Sequence, residues 1–176
     1  METVERGAAS FEDLSLPLLQ SLYNFAHWLA RDRTEAEDLV QETYVKALKG
    51  FSSFTPGTNF RAWMFRILRN TFLSSREGLK QSVPFTEEPG DGGADPPATE
   101  ETPESILLSR ADVERVRAAI EALPVLFREA LLLREVEELS YSEMAETLSV
   151  PIGTVMSRLS RARRAVRAAL KRDPGR

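Results

Sequence analysis

The 176-residue chain is 42% hydrophobic and 28% charged, proportions that are typical of globular proteins and suit one domain or two small ones. It contains no cysteine and one histidine, which excludes disulfides and thiolate metal sites within the chain. No stretch reaches the roughly 20 apolar residues of a membrane helix, and the first residues lack the basic and apolar segments of a signal peptide. We therefore expect a cytoplasmic protein with no membrane insertion.

Charge is distributed unevenly along the chain. Residues 1–80 contain ten basic and ten acidic residues, residues 81–109 contain seven acidic and no basic residues, and residues 110–176 contain 13 basic and 10 acidic residues. The middle stretch is also rich in Pro and Gly and has almost no apolar periodicity, so burial cannot offset the entropy of ordering it. The sequence predicts a flexible acidic linker at 81–109 between two domains.

The residues before the linker predict a helical bundle at 15–80, preceded by a flexible N-terminus at 1–14. Helical spacing first links the apolar residues Leu18, Leu22, Phe25 and Leu29. Thr34 followed by Glu37 fits a capping box that would start a second helix. The inward stripe of that helix would be Ala36, Leu39, Val40, Thr43 and Ala47. After a Gly-, Ser- and Pro-containing break, a third helix is predicted through Phe60, Trp63, Met64, Ile67, Leu68 and Thr71.

A second helical bundle is predicted at 110–172, with a short tail at 173–176. One helical face would contain Val113, Val116, Ile120 and Leu123. Pro124 fits the start of the next helix, whose inward residues would be Leu126, Ala130 and Leu133. Because no alternating run predicts a strand, the expected fold class is all-α, with two small helical bundles joined by the linker.

Residues 139–163 contain two short helical patterns joined by a tight connection, as a helix-turn-helix requires. Ser140 and Glu143 form a capping box, and Leu139 can pack on Met144 as a hydrophobic staple. The first helix should end near Leu148. Ser149 occupies the turn, where a left-handed backbone would cost it up to about 1 kcal/mol relative to glycine.

The second of these helices predicts a DNA-facing surface. With Leu148, Val150 and Val155 in the core, the outer face would present Thr154, Ser157, Arg158 and Arg161. Between Ile152 and Arg172 there are seven basic and no acidic residues, for which phosphate is the natural counterion. The alternative is a solvated charged face on a packing helix.

This segment, LSYSEMAETLSVPIGTVMSRLSRARRAV, resembles the second conserved domain of extracytoplasmic-function sigma factors of the sigma-70 family. The resemblance implies that the second helix enters the major groove of the promoter's minus thirty-five element. By position, the contacts to bases and phosphates would come from Thr154, Ser157, Arg158, Arg161 and Arg164. Met156 stands where many relatives have Lys or Arg and offers an apolar contact instead.

The stretch from Thr34 to Arg76 resembles the first conserved sigma domain, which binds core RNA polymerase and melts the minus ten element. The resemblance implies a polymerase-binding surface at Asp38, Gln41, Glu42, Val45 and Lys46. It also implies contacts to the minus ten element, with a flipped base captured by the loop 52–59. These contacts would come from Ser53, Asn59, Phe60, Arg61, Trp63, Arg66 and Asn70.

Aromatic and cationic residues crowd the same region, a mixture that suits stacking of unpaired bases beside a phosphate backbone. The aromatics are Phe51, Phe54, Phe60, Trp63, Phe65 and Phe72, and the arginines are Arg61, Arg66, Arg69 and Arg76. The alternative for the aromatics is core packing, which we expect for about half of them because a small bundle needs large buried anchors.

An enzyme and a free-standing transcription regulator are the alternatives to a sigma factor. The chain has no Gly-rich phosphate loop and no clustered metal ligands, so we expect no catalytic residues, no metal, no cofactor and no small-molecule substrate. A free-standing transcription regulator would use the same helix-turn-helix, usually as a dimer, but it leaves the first domain without a role.

The resemblance further implies control of stress-response genes, an anti-sigma factor as partner, and nucleoid association when the chain is bound to polymerase.

Overall fold

A computed structural model describes residues 9–76 and 110–172, and its chain divides into two compact units, Met1–Ser82 and Val83–Arg176. We call the described parts the front unit (9–76) and the rear unit (110–172). Both are built from helices, without strands in these two ranges, which confirms the all-α class with two bundles. The predicted linker at 81–109 and the tail at 173–176 lie outside the described residues.

The front unit contains four α-helices. They are α1 (Phe11–Ser15), α2 (Leu19–Ala30), α3 (Arg33–Gly50) and α4 (Phe60–Ser75), with 3₁₀ turns at Leu16–Leu18 and Phe51–Ser53. The predicted inward stripe of α3 is confirmed, because all five of its residues are buried. The Thr43 hydroxyl, which is buried with them, donates to the Leu39 carbonyl at 2.7 Å.

The beginning of the front unit differs from two predictions. Residues 10–14 are not a flexible N-terminus, because Ser10 and Asp13 form a capping box for α1 and the Phe11 ring is buried. Helix α3 does not begin with a Thr34 cap. Asp32 caps it instead, accepting a hydrogen bond from the Glu35 amide at 2.8 Å, and Thr34 lies inside the first turn.

The core of the front unit lies between α2, α3 and α4. Phe25 and Phe65 meet edge to face with ring centroids 5.4 Å apart, and both rings are fully buried. Tyr44 ties α3 to the end of α1, since its hydroxyl donates to the Ser15 carbonyl at 2.6 Å. Burial raises the pKa of Tyr44, so its hydroxyl remains a proton donor at neutral pH.

The rear unit also contains four α-helices. They are α5 (Arg110–Glu121), α6 (Val125–Glu135), α7 (Tyr141–Leu148) and α8 (Ile152–Arg172). The side chains of α8 that pack inward are Val155, Leu159 and Ala162, each at most 1% exposed. The predicted common face of α5 is wrong at its start, because Val113 is 50% exposed, whereas Leu123 is buried.

Candidate nucleic-acid interface

Local hydrogen bonds fix both the start of α7 and the turn between α7 and α8. The Ser140 Oγ accepts from the Glu143 amide at 3.3 Å, and a Glu143 carboxylate oxygen accepts from the Ser140 amide at 2.6 Å, so the predicted capping box is confirmed. Helix α7 ends at Leu148, as predicted, and Ser149 is left-handed with φ of 55°. The Val150 amide then donates to the Ala145 carbonyl at 3.1 Å, which closes the turn.

The surface of α8 contains four of the five residues predicted to contact the minus thirty-five element. Thr154, Ser157 and Arg161 are half-buried, and Arg164 is exposed. The Ser157 hydroxyl donates to the Thr154 carbonyl at 3.0 Å, so in this rotamer its oxygen can accept a hydrogen bond from a base but cannot donate one. Next to these residues, Ile152 and Met156 are 46% and 53% exposed and add an apolar edge to the first turns of α8.

Arg158 is not on the outer face, where it was predicted to lie. The residue is 8% exposed, and its Nη1 lies 3.6 Å from Oε1 of Glu129 on α6, a residue with no exposed surface. Helical spacing indicates this placement, because position 158 is three residues after Val155 and four before Ala162, which line the buried stripe. The charge of Arg158 favoured an exposed position, whereas its spacing relative to Val155 and Ala162 indicates a buried one.

Five aromatic rings cluster around the connection between α3 and α4: Phe11, Phe51, Phe54, Phe60 and Trp63. Phe60 is the hub of this cluster, with ring centroids of Phe54 and Trp63 at 5.2 and 5.5 Å. Phe60 is 8% exposed, so its ring packs inside the cluster. Phe54 and Trp63 are half-buried at the rim of the cluster.

The other residues predicted to contact the minus ten element follow the loop onto one side of α4. Asn59, Trp63, Arg66 and Asn70 are spaced at helical intervals, and exposure increases along this row from half-buried to exposed. The Asn59 side chain caps α4 by accepting from the Ala62 amide at 2.9 Å. Ser53 is exposed, and its hydroxyl donates to the Gly50 carbonyl at 2.6 Å.

Among the arginines near the loop, burial varies widely. Arg61 is half-buried, with its guanidinium 5.5 Å from the centroid of the Phe65 ring. Arg69 is 7% exposed and Phe65 and Phe72 are at most 1% exposed, so these three belong to the core and do not form part of a base-stacking surface. Phe60, Phe65 and Phe72 are therefore core residues, as the alternative to base stacking predicts for about half of the aromatics.

The five residues of α3 that the resemblance assigns to polymerase binding are all exposed: Asp38, Gln41, Glu42, Val45 and Lys46. Lys46 pairs with Glu42 at 2.7 Å and donates to the Thr71 hydroxyl of α4 at 3.3 Å. Leu48 was not predicted for this surface, although it is 57% exposed and continues the row that Val45 begins. Its position outside the buried stripe is the signal that could have identified it.

Comparisons with known proteins place both units in one class. Residues 16–80 match the family model for sigma-70 region 2, and residues 113–166 match the model for sigma-70 region 4. Together with the helix-turn-helix, these matches define a transcription initiation factor of the sigma-70 class.

Individual relatives narrow the class. The chain is 37% identical over 164 residues to the ECF RNA polymerase sigma factor EcfG of Rhodopseudomonas palustris, covering 93% of this chain and 87% of that protein. It is 34% identical over 155 residues to the RNA polymerase sigma factor YlaC of Bacillus subtilis, covering 88% of each. The sigma factor RpoE of Bartonella quintana, solved in complex with the anti-sigma factor NepR, aligns with TM-score 0.67 at 32% identity, covering 92% and 99% of the two chains.

The chain belongs to the extracytoplasmic-function RNA polymerase sigma factors. It therefore directs RNA polymerase to promoters and is not an enzyme. Within residues 9–76 and 110–172, no group of three acidic or histidine side chains could hold a metal ion, and no helix in those ranges is long and apolar enough to cross a membrane.

Proposed function

We propose that the two units divide promoter recognition between them, with the front unit binding core polymerase and the melted minus ten element and the rear unit binding duplex DNA at the minus thirty-five element. One observation carries this assignment. A capped helix and a left-handed turn present Thr154, Ser157 and Arg161 on one side of α8, while the opposite side is buried. Such an arrangement places a helix in the major groove.

Two types of contact follow from the residues along α8. Thr154, Ser157 and Arg161 lie on its first three turns, where a recognition helix meets base edges. Arg164 is exposed one turn further on, in the part of α8 that contains no acidic residue, and it contacts phosphate. Base contacts supply sequence preference, and phosphate contacts supply affinity that falls with salt.

The front unit binds single-stranded DNA with the rim of its aromatic cluster. Trp63 offers a half-buried ring for stacking, Arg66 and Asn70 are exposed beside it, and Ser53 and Asn59 border the loop that would hold a flipped base. Arg61 adds positive charge near this row. Phe60 acts as the scaffold of the loop, because its buried ring holds Phe54 and Trp63 in place.

Core polymerase binds the exposed side of α3. The five polar and apolar residues assigned above, together with Leu48, combine charge with two exposed aliphatic side chains, a composition that suits a protein interface. An anti-sigma factor is a further partner, as in the Bartonella relative, and it would control stress-response genes by blocking polymerase binding. The chain acts in the bacterial cytoplasm, associated with the nucleoid when it is bound to polymerase.

The first test is dependence on core polymerase. The purified chain alone should bind promoter duplex weakly, and adding core polymerase should give specific open complexes whose formation falls with salt. The promoter can be selected by the holoenzyme from a library randomised at both elements. Tight operator binding by a dimer of the chain alone would contradict the proposal and favour a free-standing regulator.

The second test separates base from phosphate contacts on α8. Arg161→Ala should reduce discrimination between a matched and a singly mismatched minus thirty-five element by about 1–3 kcal/mol. Arg164→Ala is the matched control, since loss of a phosphate contact weakens both promoters equally and lowers the salt slope by about one. Equal discrimination by the wild type and Arg161→Ala would contradict base recognition by Arg161.

A further inference from the structure

An ion pair lies inside the rear unit and joins α6 to α8. Glu129 of α6 has no exposed surface, and Arg158 of α8 is 8% exposed, with Oε1 and Nη1 3.6 Å apart. Val155 and Leu159, which flank Arg158 on the buried stripe of α8, are at most 1% exposed. Burying two charges costs several kcal/mol per ion, so this position is an expensive one for a charged pair.

Stability alone does not explain the pair. Replacement of a buried ion pair by aliphatic residues of similar volume is often neutral or stabilising. A buried ion pair differs from aliphatic packing because separating its two charges is costly, whereas aliphatic surfaces can slide or rotate with little change in contact. The pair therefore defines how α8 is rotated against α6.

That rotation sets the direction of the residues that face DNA. Successive residues of a helix are separated by about 100°, so Arg161 and Ser157 lie about 60° and 100° from Arg158, both on the same side of it. Recognition residues must be held within roughly 10–20° of their productive orientation. A helix that turns about its axis by more than this moves both side chains away from the base edges.

We propose that Glu129 and Arg158 are positioning residues that fix the rotation of α8, and thereby set sequence discrimination at the minus thirty-five element without contacting DNA. This inference rests on the proposed function of α8. It predicts that removing the pair lowers discrimination even when the rear unit keeps its stability and the chain keeps its binding to core polymerase.

The test compares the wild type with a double variant that combines Glu129→Leu and Arg158→Met. Both are used as full chains bound to core polymerase. We expect a thermal midpoint close to that of the wild type and unchanged core binding. The ratio of transcription from matched and mismatched minus thirty-five elements should fall about 10-fold, the size of one base contact. A folded double variant with the wild-type ratio would overturn the proposal, because the pair would then be packing only.

A second ion pair provides the matched control. Arg163 of α8 and Glu135 of α6 join the same two helices at 2.7 Å, but the Glu135 side chain is 50% exposed. Exposed pairs contribute little, so Glu135→Gln should leave the ratio unchanged. A ratio that falls equally in Glu135→Gln would overturn the special role of the buried pair, since any contact between α6 and α8 would then suffice.

If the double variant does not fold, Glu129→Gln decides the question. Glutamine keeps the volume of the side chain and removes its charge, so a wild-type ratio in this variant would also overturn the proposal. Failure of the proposed function gives a different result: a wild-type holoenzyme that does not distinguish matched from mismatched minus thirty-five elements. The wild-type ratio is therefore measured first in each series.

Discussion

The two units bury different chemistry beneath the surfaces that they offer to DNA. Among the described residues, the buried set of the front unit includes four phenylalanines besides Phe11 and a single charged residue, Arg69. The buried apolar side chains of the rear unit are mostly aliphatic. Four charged residues are buried with them: Arg128, Glu129, Glu137 and Arg158. In the front unit, aromatic bulk packs around a loop, and in the rear unit we propose that buried charged residues orient a helix.

This difference matches the two forms of DNA in a promoter. A melted strand can adapt to a loop, because each base has a face that stacks on an aromatic ring. A duplex presents hydrogen-bonding groups at fixed positions in its major groove, so the helix that recognises it must be held in a fixed orientation. Substitutions that affect each unit separately can break or sharpen this comparison.

Phe60→Ala should have the largest effect on the front unit, because it removes the hub of the aromatic cluster. The free energy of unfolding of that unit should fall by about 3–5 kcal/mol. Both tryptophans of the chain, Trp28 and Trp63, lie in the front unit, so tryptophan fluorescence during denaturant unfolding follows this unit alone. Exposed Arg66→Ala is the control and should change stability by at most about 0.5 kcal/mol. Equal midpoints for the two variants would contradict the role of Phe60.

Arg158→Ala should have a comparable effect on the rear unit, since it leaves the buried carboxylate of Glu129 without this cation. We expect a loss of about 3–5 kcal/mol in the free energy of unfolding. The methyl NMR signal of Met144, which is fully buried in the rear unit, follows this transition separately from the front unit. Exposed Arg164→Ala should stay within about 0.5 kcal/mol of the wild type. A mild effect of Arg158→Ala would contradict a large contribution of this ion pair to the stability of the rear unit.

Asp32→Ala should destabilise the front unit by about 1 kcal/mol, because Asp32 accepts the hydrogen bond that caps α3. Thr34→Ala is the matched control and should have less effect, since Thr34 lies inside the helix. Tryptophan fluorescence again supplies the measurement. A larger loss of stability in Thr34→Ala than in Asp32→Ala would contradict the Asp32 cap and support the capping box that the sequence predicts at Thr34 and Glu37.

Ser149→Gly should have the smallest effect and the opposite sign. Ser149 has φ of 55°, a left-handed conformation that glycine adopts without steric cost, so the rear unit should gain up to about 1 kcal/mol. Ser142→Gly, inside α7, should instead lose roughly 0.5–1 kcal/mol. Thermal unfolding followed at Met144 distinguishes the two. A loss of stability in Ser149→Gly would show that the serine side chain contributes more than its backbone strain costs.

The parts of the structure that the sequence predicted correctly depend on neighbours a few residues apart. The Ser140 and Glu143 capping box, the end of α7 at Leu148 and the buried stripe of α3 are examples. Each follows from helical spacing or from a hydrogen bond within one turn, so the local residue types suffice to predict it.

The errors involve partners that are distant in sequence or choices between similar local signals. Helical spacing puts Arg158 on the buried stripe of α8, but its charge is accepted there by Glu129 of another helix, and Phe60 is buried partly because Phe11 reaches it from α1. No periodicity in α8 or α4 alone identifies those partners. Asp32 and Thr34 are both suitable caps, and the structure places the start of α3 at the first of them.

Site-specific crosslinking in the holoenzyme tests the central claim most directly. A photo-crosslinking amino acid at position 161 should react with duplex DNA at the minus thirty-five element, and one at position 66 with the melted strand of the minus ten element. Both reactions should require core polymerase. Crosslinks from position 161 that fall outside the minus thirty-five element, or that form equally well without core polymerase, would contradict the division of promoter recognition between the two units.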